Sequence, residues 1–219
     1  MNYHIVIPAR GNSKRFKRKN LALLNNKPLI EHSIDFALKF FEKDKVWVNS
    51  EDEEILLLAK RKMVNTYKRS KNLSHDETKT ISVLSDQLDF FNKRKISCDA
   101  IILLQPTNPL RNDDLMRNAI RLFEDSGRES LASFSKSRLK LGTIDEQQNY
   151  IPFNYNPGDR SQDLKNYFFE NGQIYITRSE SISNGHIITK DVYPLICEDF
   201  EATIDIDYKY DLEIANLFT

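Results

Sequence analysis

Two rhythms of apolar and polar positions alternate along this chain. Residues 3–7 (YHIVI) and 45–49 (KVWVN) are short β-rich apolar runs. Between them, residues 28–41 (PLIEHSIDFALKFF) place Leu29, Ile30, Ile34, Ala37, Leu38 and Phe41 at the spacing of one helix face. Residues 52–63 predict a second helix, its acids early and its Lys/Arg late, as the helix dipole prefers. Residues 76–93 predict a long amphipathic helix and residues 113–125 another. The intervening AIILL (100–104) is almost wholly apolar, the pattern of a strand covered on both faces.

This alternation implies βαβ units joined by right-handed crossovers. The expected fold class is α/β, with a mostly parallel, doubly wound sheet. Residues 131–134 add a strand, and residues 173–177 (QIYIT) and 203–207 (TIDID) return to strand character before a closing helix at 208–217. Residues 136–170 differ: they are polar, contain NPGDRSQD and lack clean periodicity. They read as an excursion from the sheet within a single domain covering 1–219.

Composition narrows the function. Apolar residues make up 40% of the 219, an ordinary globular value. Lys+Arg and Asp+Glu are both 32, and this balance argues against a general nucleic-acid binder. Two distant cysteines, Cys98 and Cys197, read as reduced thiols of a cytoplasmic protein. The four histidines are scattered and suggest no zinc site. The first strand begins too early for a signal peptide, and no apolar run reaches membrane-spanning length.

Against that neutral background, IPARGNSKRFKRKN (7–20) gathers Arg10, Lys14, Arg15, Lys17, Arg18 and Lys19 just after the first strand. Ligands of an open parallel sheet bind outside the carboxyl ends of its strands. Gly11 and Asn12 permit a tight turn that presents backbone N–H groups. Arg10 and Lys14 could share one anion, with Lys19 closing over it, as a polyphosphate requires. The stretch is not a Walker A loop, because it lacks GxxxxGK[ST]. Arg15, Lys17 and Arg18 read at least as well as a solvated surface. NSED (49–52) follows the second strand. QPTNPLR (105–111) forms a rigid loop after AIILL, offering the Gln105 amide and the Thr107 hydroxyl. In TIDID, alternation puts Asp205 and Asp207 on one side. They are a divalent-cation pair or two solvated acids, and spacing leaves both open.

Taken together, these segments resemble the acylneuraminate cytidylyltransferase family, the CMP-sialic and CMP-nonulosonic acid synthetases. The family opens with IPAR..SK......KN, here Ile7–Asn20. NKPLIEHSI (26–34) is similar to its GKPLIEYTI, RSKNLSHDETKT (69–80) to its RP..LA.D.A.., and LLQPTNPLR (103–111) to its LLQPTSPLR. RSQDLKNYFFENG (160–172) follows its RRQDLP..Y..NG, NGQIYI (171–176) its NGAIYI, and Asp205–Asp211 its DID....D. The likeness runs in order over nearly the whole chain.

The resemblance implies a Rossmann-like nucleotidyltransferase sheet, and transfer of CMP from CTP to the anomeric hydroxyl of a nonulosonic acid with release of pyrophosphate. By likeness, Arg10, Gly11, Asn12, Ser13, Lys14 and Lys19 would hold the triphosphate, with Arg10, Lys14 and Asp207 acting in catalysis. Asn20, Arg69, Thr80 and Gln105 would line the cytidine site. Gln105, Lys140, Arg160, Gln162 and Tyr175 would contact the sugar, and Asp205 and Asp207 would bind Mg²⁺. The resemblance also implies a homodimer in which the 136–170 excursion reaches the partner, with no role for nucleic acid or membrane.

The chain departs from the family where Arg15-Phe16-Lys17 replace a common Gly-Ile-Pro, Asn108 a serine, Lys165 a proline and Glu51 an aspartate. These changes mark a divergent member. The competing expectations are a cytidylyltransferase for a Kdo-type acid and a non-catalytic CTP-binding homologue.

Overall fold

The computed structural model of the chain describes residues 1–160, 162 and 164–219. In chain order the elements are β1 (Tyr3–Pro8), β2 (Leu23–Leu24), β3 (Lys27–Pro28), α1 (Leu29–Leu38), β4 (Val46–Ser50), α2 (Glu53–Arg61), β5 (Asn65–Lys68), α3 (Thr80–Lys93), β6 (Ala100–Leu103), α4 (Asp113–Ser126), β7 (Ser130–Ser137), β8 (Gly142–Ile144), β9 (Tyr150–Pro152), β10 (Tyr167–Arg178), α5 (Ser179–Ser183), β11 (Val192–Ile196) and α6 (Lys209–Ala215).

The central sheet has seven strands in the order β11-β7-β10-β6-β1-β4-β5. β1 pairs in parallel with β4 and β6, β4 with β5, and β11 with β7. β10 alone runs antiparallel, to both β6 and β7. The expected α/β, mostly parallel, doubly wound sheet is therefore the observed architecture.

Alternation along the strands feeds two cores. Ile5 and Ile7 of β1, Val46 and Val48 of β4 and Ile102 of β6 face α1, α2 and α4, where Ile30, Ile34, Ile55, Met116 and Phe123 are buried. Val6, Trp47, Ile101 and Leu103 face the other way, onto Leu84, Leu88 and Phe91 of α3. Caps fix the helix starts. Asp52 accepts from Glu54 N at 2.9 Å and Ile55 N at 3.1 Å ahead of α2, and Asn112 accepts from Leu115 N at 2.9 Å ahead of α4.

The strand order reverses at β1. The chain passes from β1 to β4 and β5 on one side, then returns to β6 on the other. A crevice forms at such a switch point, outside the carboxyl ends of the strands. The loops after β1 and β6, IPARGNSKRFKRKN and QPTNPLR, therefore border one crevice.

Several expected boundaries move. Residues 203–207 are not a strand: a 3-10 turn at Phe200–Thr203 leads into an unpaired extended run. Ile204 and Ile206 are buried instead against Leu24, Leu29 and Ala215, and Ile206 N donates to Thr107 O at 2.8 Å. The run thus lies over the strand ends rather than inside the sheet. α3 begins at Thr80, not at residue 76. Two edge strands, β5 and β11, carry no strand pattern in the sequence, β5 because NTYK is polar and β11 because VYPLI contains Pro194, which an edge tolerates. β7 continues to Ser137 and β10 starts at Tyr167, so the sheet claims both ends of the 136–170 excursion. The interior of the excursion carries the β8–β9 hairpin.

Candidate functional site

At the switch point lies a polar cleft of about 370 Å³, lined among others by Arg10, Arg15, Lys19, Asn20, Arg69, Asp76, Thr80, Gln105, Thr107, Asp205 and Asp207. Gln105 and Asp205 also line an adjoining cavity of about 320 Å³ with Phe169, Glu170, Asn171, Gly172, Tyr175 and Thr203. The two lobes share this wall.

The first lobe is built from the β1 loop. The loop leaves the sheet beside NSED, where Gly11 N donates to Glu51 Oε1 at 2.8 Å. Glu51 also receives Arg69 through Nε at 3.2 Å and Nη2 at 3.0 Å. Burial alone would raise the Glu51 pKa. The Gly11 N–H, its own backbone N–H and the Arg69 guanidinium outweigh that and hold it below the ordinary value. Asn20, buried, donates to Arg10 O at 2.9 Å and pins the far end of the loop to its start. The charged tips are paired across the opening: Arg10 with Asp76 at 2.6 Å, Lys14 with Asp76 at 3.1 Å. Arg15 and Lys19 each reach Asp207 at 2.7 Å.

The TIDID side chains still alternate although the strand is absent. With Ile204 and Ile206 buried below, Asp205 and Asp207 both border the cleft. Loss of hydration raises the Asp205 pKa most, and the charge of Asp207 adds to it, while the Thr107 hydroxyl and Lys19 oppose the rise. A divalent cation between the acids would relieve that repulsion. Mg²⁺ takes one or two protein carboxylates and completes its octahedron with phosphate oxygens and water, so these side chains fit it.

The β6 loop is fastened from below by Arg111. Its Nη2 donates to Gln105 O at 2.7 Å, its Nε to Gln173 O at 2.7 Å and its Nη1 to Ser33 Oγ at 3.0 Å. Loss of hydration pulls the Arg111 pKa down to about 9, which still leaves the cation charged at neutral pH. Asn108 donates to Asn171 O at 2.9 Å and so ties the loop to β10. Opposite it, Gly172 adopts φ +74°, and a Cβ there would stand 2.5 Å from Asn108 Oδ1 and 2.8 Å from Gln105 Oε1. The register of β10 shifts between Glu170 and Tyr175, at this same point.

Of the residues singled out in the sequence, Arg10, Lys19, Asn20, Arg69, Thr80, Gln105, Asp205 and Asp207 line the first lobe, and Gln105, Tyr175 and Asp205 the second. Gly11 is buried against Glu51; Asn12, Ser13 and Lys14 continue the loop outward, with Lys14 exposed on Asp76. Lys140, Arg160 and Gln162 line neither lobe. Lys140 sits on the hairpin side, bonded to Asp159 O and 5.1 Å above the Tyr155 ring. Ser161 and Asp163 of the RSQDL stretch lie outside the described residues. Two further residues shape the site without a local sequence signal: Asp76, which lies ahead of α3 rather than inside a helix, and Arg111 at the end of QPTNPLR. The crowding of cations at 10–19 was a signal that acids must face them.

Comparison with known proteins places the chain among relatives of one kind. The cytidylyltransferase family profile matches residues 4–216. The chain is 33% identical to the CMP-N,N'-diacetyllegionaminic acid synthase of Legionella pneumophila, over 94% of this chain and 91% of that one. It is 29% identical to a pseudaminic acid cytidylyltransferase of Campylobacter jejuni, covering 97% and 94%. Among solved structures, a CMP-2-keto-3-deoxy-manno-octonic acid synthetase complexed with CTP superposes with a TM-score of 0.71 at 17% identity, over 100% of this chain and 98% of that one, a likeness of fold.

Proposed function

Since this chain belongs to the cytidylyltransferase family, we propose that it transfers CMP from CTP to the anomeric hydroxyl of a nonulosonic acid and releases pyrophosphate. The observation that carries this reading is the two-lobed cleft with Gln105 and Asp205 in its shared wall. CTP occupies the first lobe, with its phosphates towards Arg10, Lys14 and Lys19 and its base and ribose against Asn20, Arg69, Thr80 and Gln105. The sugar acid occupies the second lobe beside Gln105 and Tyr175. Its hydroxyl then meets the α-phosphorus at the wall between them.

Nucleotidyl transfer depends on positioning and on neutralising charge more than on covalent participation. Gln105, held through its carbonyl by Arg111, is fixed to orient both substrates. Arg10 and Lys14, now on Asp76, are free to exchange it for the departing pyrophosphate. Asp205 and Asp207 would hold Mg²⁺, which when bound draws charge from the phosphate oxygens.

The protein works as a homodimer in the cytoplasm. The β8–β9 hairpin and its flanks expose Leu139, Leu141, Ile144, Ile151 and Phe153, an apolar surface suited to a second copy. Packed there, the hairpin brings Lys140, Arg160 and Gln162 towards the partner's sugar lobe. Cys98 and Cys197 are both free thiols, as suits a reducing compartment.

The test is pyrophosphate release from CTP and Mg²⁺ with legionaminic, pseudaminic, N-acetylneuraminic and Kdo-type acids, with UTP, ATP and GTP as controls. Turnover is expected with CTP and a nine-carbon acid. Turnover only with the Kdo-type acid would reassign the substrate. Tight CTP binding with no turnover on any acid would make the chain a non-catalytic homologue.

A further inference from the structure

We propose that Arg15 is a counter-ion switch: it occupies Asp207 while the cleft is empty and passes to the CTP phosphates when a divalent cation takes that carboxylate. The inference rests on the reading of the cleft as a CTP site.

Both carboxylate oxygens of Asp207 are taken. Lys19 Nζ lies 2.7 Å from Oδ1 and Arg15 Nη2 lies 2.7 Å from Oδ2. A divalent cation arriving at this carboxylate meets two positive groups already on it, and their mutual repulsion favours the departure of one. The two differ in freedom. The Lys19 side chain is 11% exposed and confined, whereas that of Arg15 is 54% exposed. Arg15 lies on the outer turn of the loop, and its guanidinium rests 5.5 Å from the centroid of the Tyr208 ring. Tyr208 is itself stacked on Tyr210, with centroids 5.2 Å apart and planes 9° from parallel. This exposed aromatic pair gives the guanidinium a face to slide on without losing all its contacts.

The destination is adjacent. Arg15 lines the same lobe as Arg10 and Lys19. Its planar fork suits two oxygens of a phosphate as well as those of a carboxylate. A group that merely neutralised Asp207 would be redundant beside Lys19. A group that exchanges Asp207 for phosphate instead keeps the empty site from accumulating repulsion, and adds a cation when the polyanion arrives. The departure from glycine at this position thereby gains a function.

The experiment uses the full-length chain and the variants Arg15→Ala and Arg15→Lys. Mn²⁺ binding to the nucleotide-free protein is followed by electron paramagnetic resonance, and CTP binding in saturating Ca²⁺ by calorimetry. Arg15→Ala should bind Mn²⁺ about fivefold more tightly, because a competitor for Asp207 is gone. The same variant should bind CTP about tenfold more weakly, because a charge-assisted contact is lost. Arg15→Lys should lie between. These opposite shifts separate a switch from a structural role, which would weaken both ligands together. If either affinity is unchanged in Arg15→Ala, or both fall, the inference is wrong while the CTP site stands. If the wild-type protein itself binds no CTP, the underlying reading fails as well.

Discussion

Gly172 shows how one missing side chain shapes the cleft. It stands at φ +74°, in the left-handed region, with Asn108 and Gln105 where a Cβ would go. Gly172→Ala should cost about 1–2 kcal/mol from backbone strain alone. Denaturant unfolding would read that loss, and KM for the sugar acid should rise as Gln105 is displaced. An unaltered KM would detach Gln105 from the sugar lobe. Asp207 presents the opposite case, a half-buried side chain that borders the cleft and is held by ion pairs to Arg15 and Lys19. Its backbone N–H is held by Asp211 at 2.9 Å whatever its side chain does. Asp207→Ala should lower turnover by about 10²–10³-fold, the scale for losing one group that organises transition-state charge. The fold should survive with a modest loss of melting temperature, because the confined Lys19 loses its partner. Near-normal turnover would remove Asp207 from the proposed Mg²⁺ site. The cations at 10–19 were legible in the sequence because their density had no partner nearby. Asp76 and Asp207, their partners across the opening, became visible only when distant segments met.

At the scale of elements, the cap of α2 also supports the site. Asp52 closes the first turn of the helix and abuts Gly11, whose absent side chain leaves it room. Asp52→Ala should destabilise the protein by about 1 kcal/mol, the usual price of an N-cap. It should also weaken CTP binding, because Glu51, one residue earlier, holds the Gly11 N–H and Arg69. A thermal melt and a CTP titration check the two halves separately. The helices were readable from their apolar stripes, α1 and α4 above all. The strands at β5 and β11 were not, since an edge strand buries too little to impose an alternation. The TIDID run misled for a related reason. Its alternation is real, with Ile204 and Ile206 buried and both acids in the cleft, yet an extended chain can alternate against a loop and a helix as well as inside a sheet.

For the whole molecule, the exposed apolar hairpin predicts association. On the proposed homodimer, Phe153→Asp should give a monomer by light scattering, with turnover reduced if Lys140, Arg160 and Gln162 serve the partner's sugar lobe. A variant that remains dimeric would move the interface elsewhere. Acid stability follows from carboxylates held by cations, Glu51 beside the β1 loop and Asp35 on α1. The folded pKa of Glu51 lies below its ordinary 4.5, so its contribution is complete above that value and is lost as pH falls through the folded pKa. Asp35 behaves alike: burial opposes ionisation, but Lys27 and Lys62 prevail. Glu51→Gln should therefore lose less stability than wild type as pH falls below about 4.5, measured by melts across the acid range. Asp205 runs the other way: its raised pKa means that ionisation costs stability, relieved as pH falls through that value. The sequence by itself determined the α/β class, the order of the helices and the two loops that border the crevice. Those properties rest on periodicity and on turn residues, which act between near neighbours. Only the tertiary structure decided which acid meets which cation, where TIDID lies, and that Gln105 and Asp205 form a common wall. Those depend on contacts between segments far apart in the chain, such as Lys19 with Asp207, and no local pattern encodes the register in which such segments pack.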